Sequence, residues 1–264
     1  MSQSNGLNAL FESAATQGSL SQGALQAIQI HDIGADINAA LGVSVDDVKA
    51  SEVVLGTLLI DDSGSIMQAR NEQHVRDGHN LFIDSLAATK QKNGILTMCR
   101  YLNGTVLYAY VPVIQAIRMD AANYRARGGT PLYRESLATL AAVVAKRQEF
   151  EDNGIICRTI TGIFTDGGDS TGGRGVCASD VKMIVDDMLR AENHIVAGIG
   201  VSDGYTDFSA VFGDMGIRPE WVLTPGNSPS EIRKAFGLLS QSAVRVSQSG
   251  KTFSQQVMGG FGSP

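Results

Sequence analysis

No lysine or arginine occurs before Lys49, although Glu12, Asp32, Asp36, Asp46 and Asp47 all lie in that stretch. From Lys49 on the two signs nearly balance, so the net charge of −6 comes mostly from the N-terminal segment. An acidic chain with no concentrated basic patch lacks the electrostatic footprint of a nucleic-acid binder, and no nucleic-acid partner is expected. The N-terminus also lacks the basic start of a secretory leader. Long apolar runs are missing as well. The longest, Val53–Ile60 and Leu137–Ala145, fall far short of the roughly 20 residues that span a bilayer. Cysteine is scarce, with Cys99, Cys157 and Cys177 an odd number at irregular spacing. Reduced, mostly buried thiols, a cytoplasmic location and no membrane association are therefore the expectation.

What is present is an ordinary globular core, with 43% hydrophobic and 18% charged residues in 264. Residues 1–27 are rich in Ser, Gln, Gly and Ala around a short motif, Leu7, Leu10 and Phe11. They read as a flexible arm or as a segment that orders on a partner. Ile28 to Leu41 suggests one short helix, and Ser44-Val45-Asp46-Asp47 a helix start.

From Val53 the pattern becomes regular. Val53–Ile60 has the composition of a strand buried on both faces, and a helix is expected from about Met67 to Lys90. Ile95–Leu102 and Thr105–Val113 flank Asn103-Gly104, which predicts an antiparallel hairpin. Thr130-Pro131 reads as cap and first residue of a helix to about Phe150. Strands over Ile155–Phe164, His194–Val201 and Glu220–Leu223 then alternate with helices over Ser179–Glu192, Asp207–Asp214 and the stretch after Ser228. This alternation predicts a doubly wound α/β fold, a mostly parallel sheet with one antiparallel edge strand and helices on both faces.

In such a sheet the functional groups collect where strands end. Three polar loops fall there: Asp61-Asp62-Ser63-Gly64-Ser65, Gly128-Gly129-Thr130, and Thr165-Asp166-Gly167-Gly168-Asp169-Ser170. Together they offer hydroxyls and carboxylates without imidazole or thiol. That set suits a hard divalent cation, Mg²⁺, Mn²⁺ or Ca²⁺, and not zinc. Few carboxylates among several neutral hydroxyls leave such an ion with residual positive charge, able to take a carboxylate from outside.

Asp-x-Ser-x-Ser after an apolar strand, Gly-Gly-Thr-Pro-Leu before a helix and Thr-Asp-Gly after a later strand resemble the metal-ion-dependent adhesion site of von Willebrand factor A domains. The resemblance runs from about Val53 to Ser247 and includes all five expected positions in order. It implies a vWA/Rossmann-like fold in which Asp61, Ser63 and Ser65 contact the ion directly or through water. Thr130 would add a hydroxyl and Asp166 would coordinate through water, with a partner protein's Asp or Glu completing the shell. The ending, Phe236-Gly-Leu-Leu-Ser240 into Ser242-Ala-Val-Arg-Val-Ser247, is similar to bacterial intracellular TerY-like members. That likeness implies a stress-response or AAA+-linked scaffold. On this reading residues 1–50 are a partly flexible extension, 51–250 the vWA-like domain and 251–264 a tail.

Each piece also has a plain structural account. Ser63-Gly64-Ser65 turns a chain, Thr130 caps a helix and Asp166-Gly167 makes a turn. It is their conjunction that points to a metal. Gly168-Asp169-Ser170 looks like the start of a GDS-type hydrolase, but no Asp-x-x-His follows. A Mg²⁺-dependent phosphohydrolase of the haloacid dehalogenase type needs an acid two residues after its nucleophile, and Ser63 stands there. A structural assembly protein that oligomerises through residues 1–50 is the other alternative. His74 and His79, five apart, are not joint ligands and read as solvated or partly packed. Arg125 and Arg127 flank the Gly-Gly-Thr loop; most such arginines are simply solvated, and beside an ion site the alternative is that they steer an acidic partner.

Overall fold

The strand Glu52–Ile60 (β1) is buried along almost its whole length and pairs in parallel on both sides. Its β-branched and leucine residues have no polar face to offer water, which makes it the centre of a sheet. The computed structural model describes residues 2–172, 175–249 and 259–261. Around β1, the strands Ile95–Tyr101 (β2), Val106–Pro112 (β3), Ile156–Thr165 (β4), His194–Gly200 (β5) and Val222–Leu223 (β6) form one sheet. The order is β3-β2-β1-β4-β5-β6, and only β3 runs antiparallel. The α/β architecture read from the sequence is the observed one.

Glu72–Ala87 (α5) and Pro229–Gln248 (α9) cover one face, packed so closely that a Cβ on Gly78 would lie 2.2 Å from the Phe236 ring. On the other face lie Leu132–Asp152 (α6) and Ala178–Arg190 (α7). The short helices Gly64–Gln68 (α4) and Phe208–Asp214 (α8) follow β1 and β5. The expected helix from Met67 to Lys90 is broken between α4 and α5, where Arg70 turns to φ +60°. The Asn103-Gly104 hairpin forms, with the Gly104 N–H donating to the Tyr101 carbonyl at 3.0 Å.

Residues 1–27 depart most from expectation. Ser2–Thr16 (α1) and Gln22–Ile30 (α2) are helices, and Gly34–Ala40 (α3) is separate from α2 because Asp32 turns to φ +48°. Instead of an arm, they form an outer layer over α6 and α7, burying Leu7, Phe11, Ala14, Leu20 and Ala24. The alanines and leucines of this Ser-, Gln-, Gly- and Ala-rich segment supply the apolar surface for helix-on-helix packing. The layer also explains why α6 is buried almost all round, including Lys146, Arg147 and Gln148. Lys146 donates to the Val43 carbonyl and Gln148 to Ser13, both in the N-terminal segment. Arg100 of β2, fully buried, is held by Glu135 of α6 at 2.8 Å and Asp36 of α3 at 3.3 Å. The same segment covers the sheet edge: the Val43 N–H donates to the Tyr110 carbonyl, and Gly42, at φ +64°, lies too close to β3 for any Cβ. Ser44 caps a single 3-10 turn, Val45–Asp47. Of the expected tail, residues 251–258 and 262–264 lie outside the described residues. Phe261 packs edge-on against Trp221.

Two predictions follow from this packing. Phe11→Ala should destabilise the chain by about 3 kcal/mol in urea unfolding, the cost of a buried aromatic, whereas a free arm would give no change. His79 is not solvated: it is fully buried, with Nε2 2.8 Å from the Tyr108 hydroxyl and Nδ1 3.1 Å from Asn80. Burial lowers its pKa to about 4 from 6.5. Between those values the unfolded chain binds a proton the folded chain refuses, so the stability due to neutral His79 is lost as pH falls through that window. The stability advantage of wild type over His79→Gln should shrink by up to about 3 kcal/mol between pH 7 and pH 4. Parallel pH curves would contradict it.

Candidate metal centre

Parallel pairing of β1 with β4 in register, Ile60 opposite Phe164, brings both strands to their ends side by side. Asp61 leaves β1 with its N–H still donating to the Phe164 carbonyl at 2.9 Å. The third loop begins beside it. The second loop is tied on by a parallel bridge between Ser63 and Gly128 and by the Gly64 N–H donating to the Gly128 carbonyl at 2.9 Å. The Asp62 carbonyl accepts from Arg127 and Gly128 N–H groups at 2.7 and 3.2 Å. Ser170 closes the ring: its hydroxyl accepts from the Thr130 N–H and its own N–H donates to the Thr130 carbonyl, both at 2.8 Å.

The side chains converge accordingly. The Ser63 and Ser65 hydroxyl oxygens are 2.8 Å apart, and they lie 3.4 and 2.6 Å from Asp166 Oδ1. Behind them sits Asp61, completely buried. Its Oδ1 accepts from the Ser63 N–H at 2.7 Å, and its Oδ2 accepts from the Thr165 hydroxyl at 2.6 Å and the Asp166 N–H at 3.3 Å. The Thr130 hydroxyl lies 3.8 Å from where a Cβ on Gly167 would sit, so the second loop faces the third. Asp61, Ser63, Ser65 and Asp166 thus meet at the C-terminal ends of β1 and β4, and Thr130 faces the same loop at Gly167.

The plain structural accounts of these residues fare poorly. Ser63 stands at the N-cap of α4 but makes no side-chain cap bond. Helix α6 begins at Leu132 with Pro131 at its N-cap, so Thr130 is not the cap and Pro131 is not the first helical residue. The hydroxyls are therefore available for something other than helix termini.

The electrostatics are one-sided. Burial pushes the Asp61 carboxyl above its ordinary range. Asp166 is raised to about 6, first by burial and then by the charge of Asp61 against the opposing hydrogen bonds of Ser65 and Ser63. Asp62 is also raised to about 6 by burial, although the Asn103 N–H bond opposes the shift. Among the described residues none of the three forms an ion pair with a Lys or Arg. Buried carboxylates without a cation are costly, and a bound divalent ion would compensate them. The donor set, two carboxylates and three hydroxyls, is all hard oxygen and fits Mg²⁺, Mn²⁺ or Ca²⁺. Among the described residues no group of three or more His, Cys, Asp and Glu side chains converges, so this oxygen set stands apart from carboxylate- or imidazole-rich metal sites.

Sequence reasoning missed three supporting residues. Thr165 holds Asp61 Oδ2, the Tyr124 hydroxyl donates to the Asp61 carbonyl at 2.5 Å, and the Asn103 N–H fixes Asp62 Oδ1 at 3.0 Å. Thr165 is the first residue of the Thr-Asp-Gly motif, which marks its position but not its supporting role. Tyr124 and Asn103 come from distant loops that only the folded topology brings in. His31 pairs with Asp180, His79 with the Tyr108 hydroxyl and His194 with the Thr159 hydroxyl. Both carboxyl oxygens of Asp61 accept hydrogen bonds, Oδ1 from the Ser63 N–H and Oδ2 from the Thr165 hydroxyl.

No protein-family profile and no curated protein matches the sequence. Among solved structures, the open conformation of the pilus adhesin SpaC from Lactobacillus rhamnosus GG aligns at 15% identity over 74% of this chain, with a TM-score of 0.52. The aligned region is 30% of the adhesin, so this chain spans under a third of its length. A von Willebrand factor type A structure from Catenulispora acidiphila aligns at 14% identity over 73% of this chain and 43% of its own, with a TM-score of 0.48. A manganese-loaded TRAP protein from Plasmodium vivax aligns at 18% identity over 70% and 74%, with a TM-score of 0.43. These likenesses concern the fold alone. Sheet order, the single antiparallel edge strand and the helices on both faces make this a vWA/Rossmann-like α/β fold.

One consequence is open to test without any metal. Asp166→Asn keeps an oxygen acceptor for Ser65 but removes a buried negative charge that has no cationic partner. In chelator the variant should unfold at a temperature equal to or above that of wild type. A clear fall would mean that the carboxylate is compensated within the chain itself.

Proposed function

We propose that the chain is a protein-interaction module, not an enzyme, and that it docks a partner's Asp or Glu through a divalent ion. The observation that carries this reading is the convergence of the Ser63 and Ser65 hydroxyls on Asp166, backed by buried Asp61, with no Lys or Arg ion-paired to either carboxylate among the described residues. Ser63, Ser65 and Thr130 would hold the ion with neutral oxygens, and Asp61 and Asp166 would supply the negative charge. When bound, the ion supplies an electrophilic point that attracts an external carboxylate. The protein's part is to keep few charges on it, so that the attraction is not already spent.

The surroundings suit a protein partner. The loop after β5, tied by Asp203 to the N–H groups of Tyr205 and Thr206, borders the Asp166 loop at Gly168. Tyr205 on that loop is 97% exposed, and Met67 of α4 is half exposed. Exposed aromatic and methionine side chains beside a charged centre are the usual makings of an interface. The resemblance to TerY-like members extends the proposal to a bacterial cytoplasmic stress-response or AAA+-linked complex. Residues 1–50 would then be an extension built onto a domain spanning about 51–250.

The reading predicts metal-dependent stability. Mg²⁺ or Mn²⁺ at a hundredfold excess over Kd should stabilise wild type by about 2.7 kcal/mol. For a chain of this length that is a rise in Tm of about 5–10 °C. Asp61→Ala should show no rise in calorimetry or thermal melts. Equal rises in both proteins, or none in either, would remove the metal from the account.

A further inference from the structure

Next to the oxygen cluster, on the side of the β2–β3 hairpin, a cavity of about 510 Å³ opens between Asp62, Tyr101, Asn103, Arg125, Arg127 and Gly128. It shares a wall with the cluster, because Gly128 is the residue bridged to Ser63. Two cations and one acid line it. Neither arginine forms an ion pair among the described residues, whereas Arg100, Arg118, Arg134 and Arg158 each do. Arg125 is steadied by its Nε–H, which donates to the Ala121 carbonyl at 3.1 Å, and the residue is exposed. Arg127 is anchored by its backbone, whose N–H donates to the Asp62 carbonyl at 2.7 Å, and its side chain is exposed. The one acid, Asp62, already accepts the Asn103 N–H.

Arg125 and Arg127 thus line the cavity together with no carboxylate paired to either among the described residues. A guanidinium presents a planar fork that matches a carboxylate in two hydrogen bonds, which a lysine would not do. We infer that the docked partner segment carries two carboxylates, one directed at the Ser63–Ser65–Asp166 cluster and a second held in this cavity by Arg125 and Arg127. This rests on the docking reading above and adds to it the partner's chemistry: a short acidic protein segment with two acids close together in its sequence. The second contact makes the site selective for paired acids over an isolated Asp or Glu.

The test is selection of a random linear peptide display library on the full chain in Mg²⁺. Three baits are compared: wild type, the double variant Arg125→Gln/Arg127→Gln, and wild type in chelator. Wild type should enrich peptides with two acidic residues at a fixed short spacing, and the double variant peptides with a single one. The chelated bait should enrich neither. A synthetic peptide from the wild-type pool should lose about fivefold in affinity when its second acid is changed to the amide, and nothing further on the double variant. Enrichment of the same paired acids by both Mg²⁺-loaded baits would overturn the inference and leave the docking reading standing. Enrichment of no acidic peptide by either loaded bait would overturn both. Calorimetric Mg²⁺ binding by the double variant, equal to that of wild type, shows that the arginine change has not damaged the ion site or the fold.

Discussion

Everything at the candidate site depends on the placement of one buried carboxylate at the end of the central strand. Asp61 is completely inaccessible, yet it accepts from a Ser63 N–H, a Thr165 hydroxyl and an Asp166 N–H. Those three donors belong to the two loops that must meet, so Asp61 is both the rear wall of the site and the knot that ties the loops. The parallel pairing of β1 and β4 makes the knot possible, because residues that follow paired strand ends emerge side by side. The hydrogen bonds offset part of the cost of burial without cancelling the charge. On the proposed reading a bound cation would compensate that charge.

The rest of the molecule serves to hold that edge still. Helix α6, which starts just beyond Thr130, is enclosed between the sheet and the N-terminal helices, and Glu135 in its first turn meets Arg100 of β2 and Arg134. Asp36 of α3 joins the same buried network. A Cβ on Gly104, in the hairpin turn, would lie 3.7 Å from the Glu135 carboxyl, so the network reaches to within one residue of Asn103, which fixes Asp62. Removing one member of such a network leaves a buried charge unpaired. The extension before β1 is thus mechanically continuous with the site, although none of its residues is part of it.

Much of this architecture was legible from pattern alone, and the reasons are local. Val53–Ile60 could only be a strand buried on both faces, Asn103-Gly104 could close a hairpin, and Ser228-Pro229 could start a helix. The five oxygen-bearing residues were legible because they follow or precede such elements at one end of the sheet. What escaped was settled by tertiary contact. The Ser-, Gln- and Ala-rich start had too little hydrophobicity to announce itself, yet Phe11, Leu20 and Ala24 suffice once α6 and α7 supply a surface. The helix break at Arg70 and the turn at Asp32 involve positive φ at residues that seldom adopt it, with no glycine to mark them. Thr130 carried a cap signature that Pro131 took over, and Tyr124 had no signature at all.

The central claim, that a divalent ion is held between the first, second and third loops, is tested most directly by diffraction from Mn²⁺-soaked crystals at a wavelength that gives manganese an anomalous signal. The account predicts one strong anomalous peak within coordination distance of the Ser63 and Ser65 hydroxyls, on the side bounded by Thr130 and Asp166. The peak should be absent from Asp61→Ala crystals. No peak in wild type, or peaks only at surface carboxylates such as Asp84 and Asp186, would contradict it.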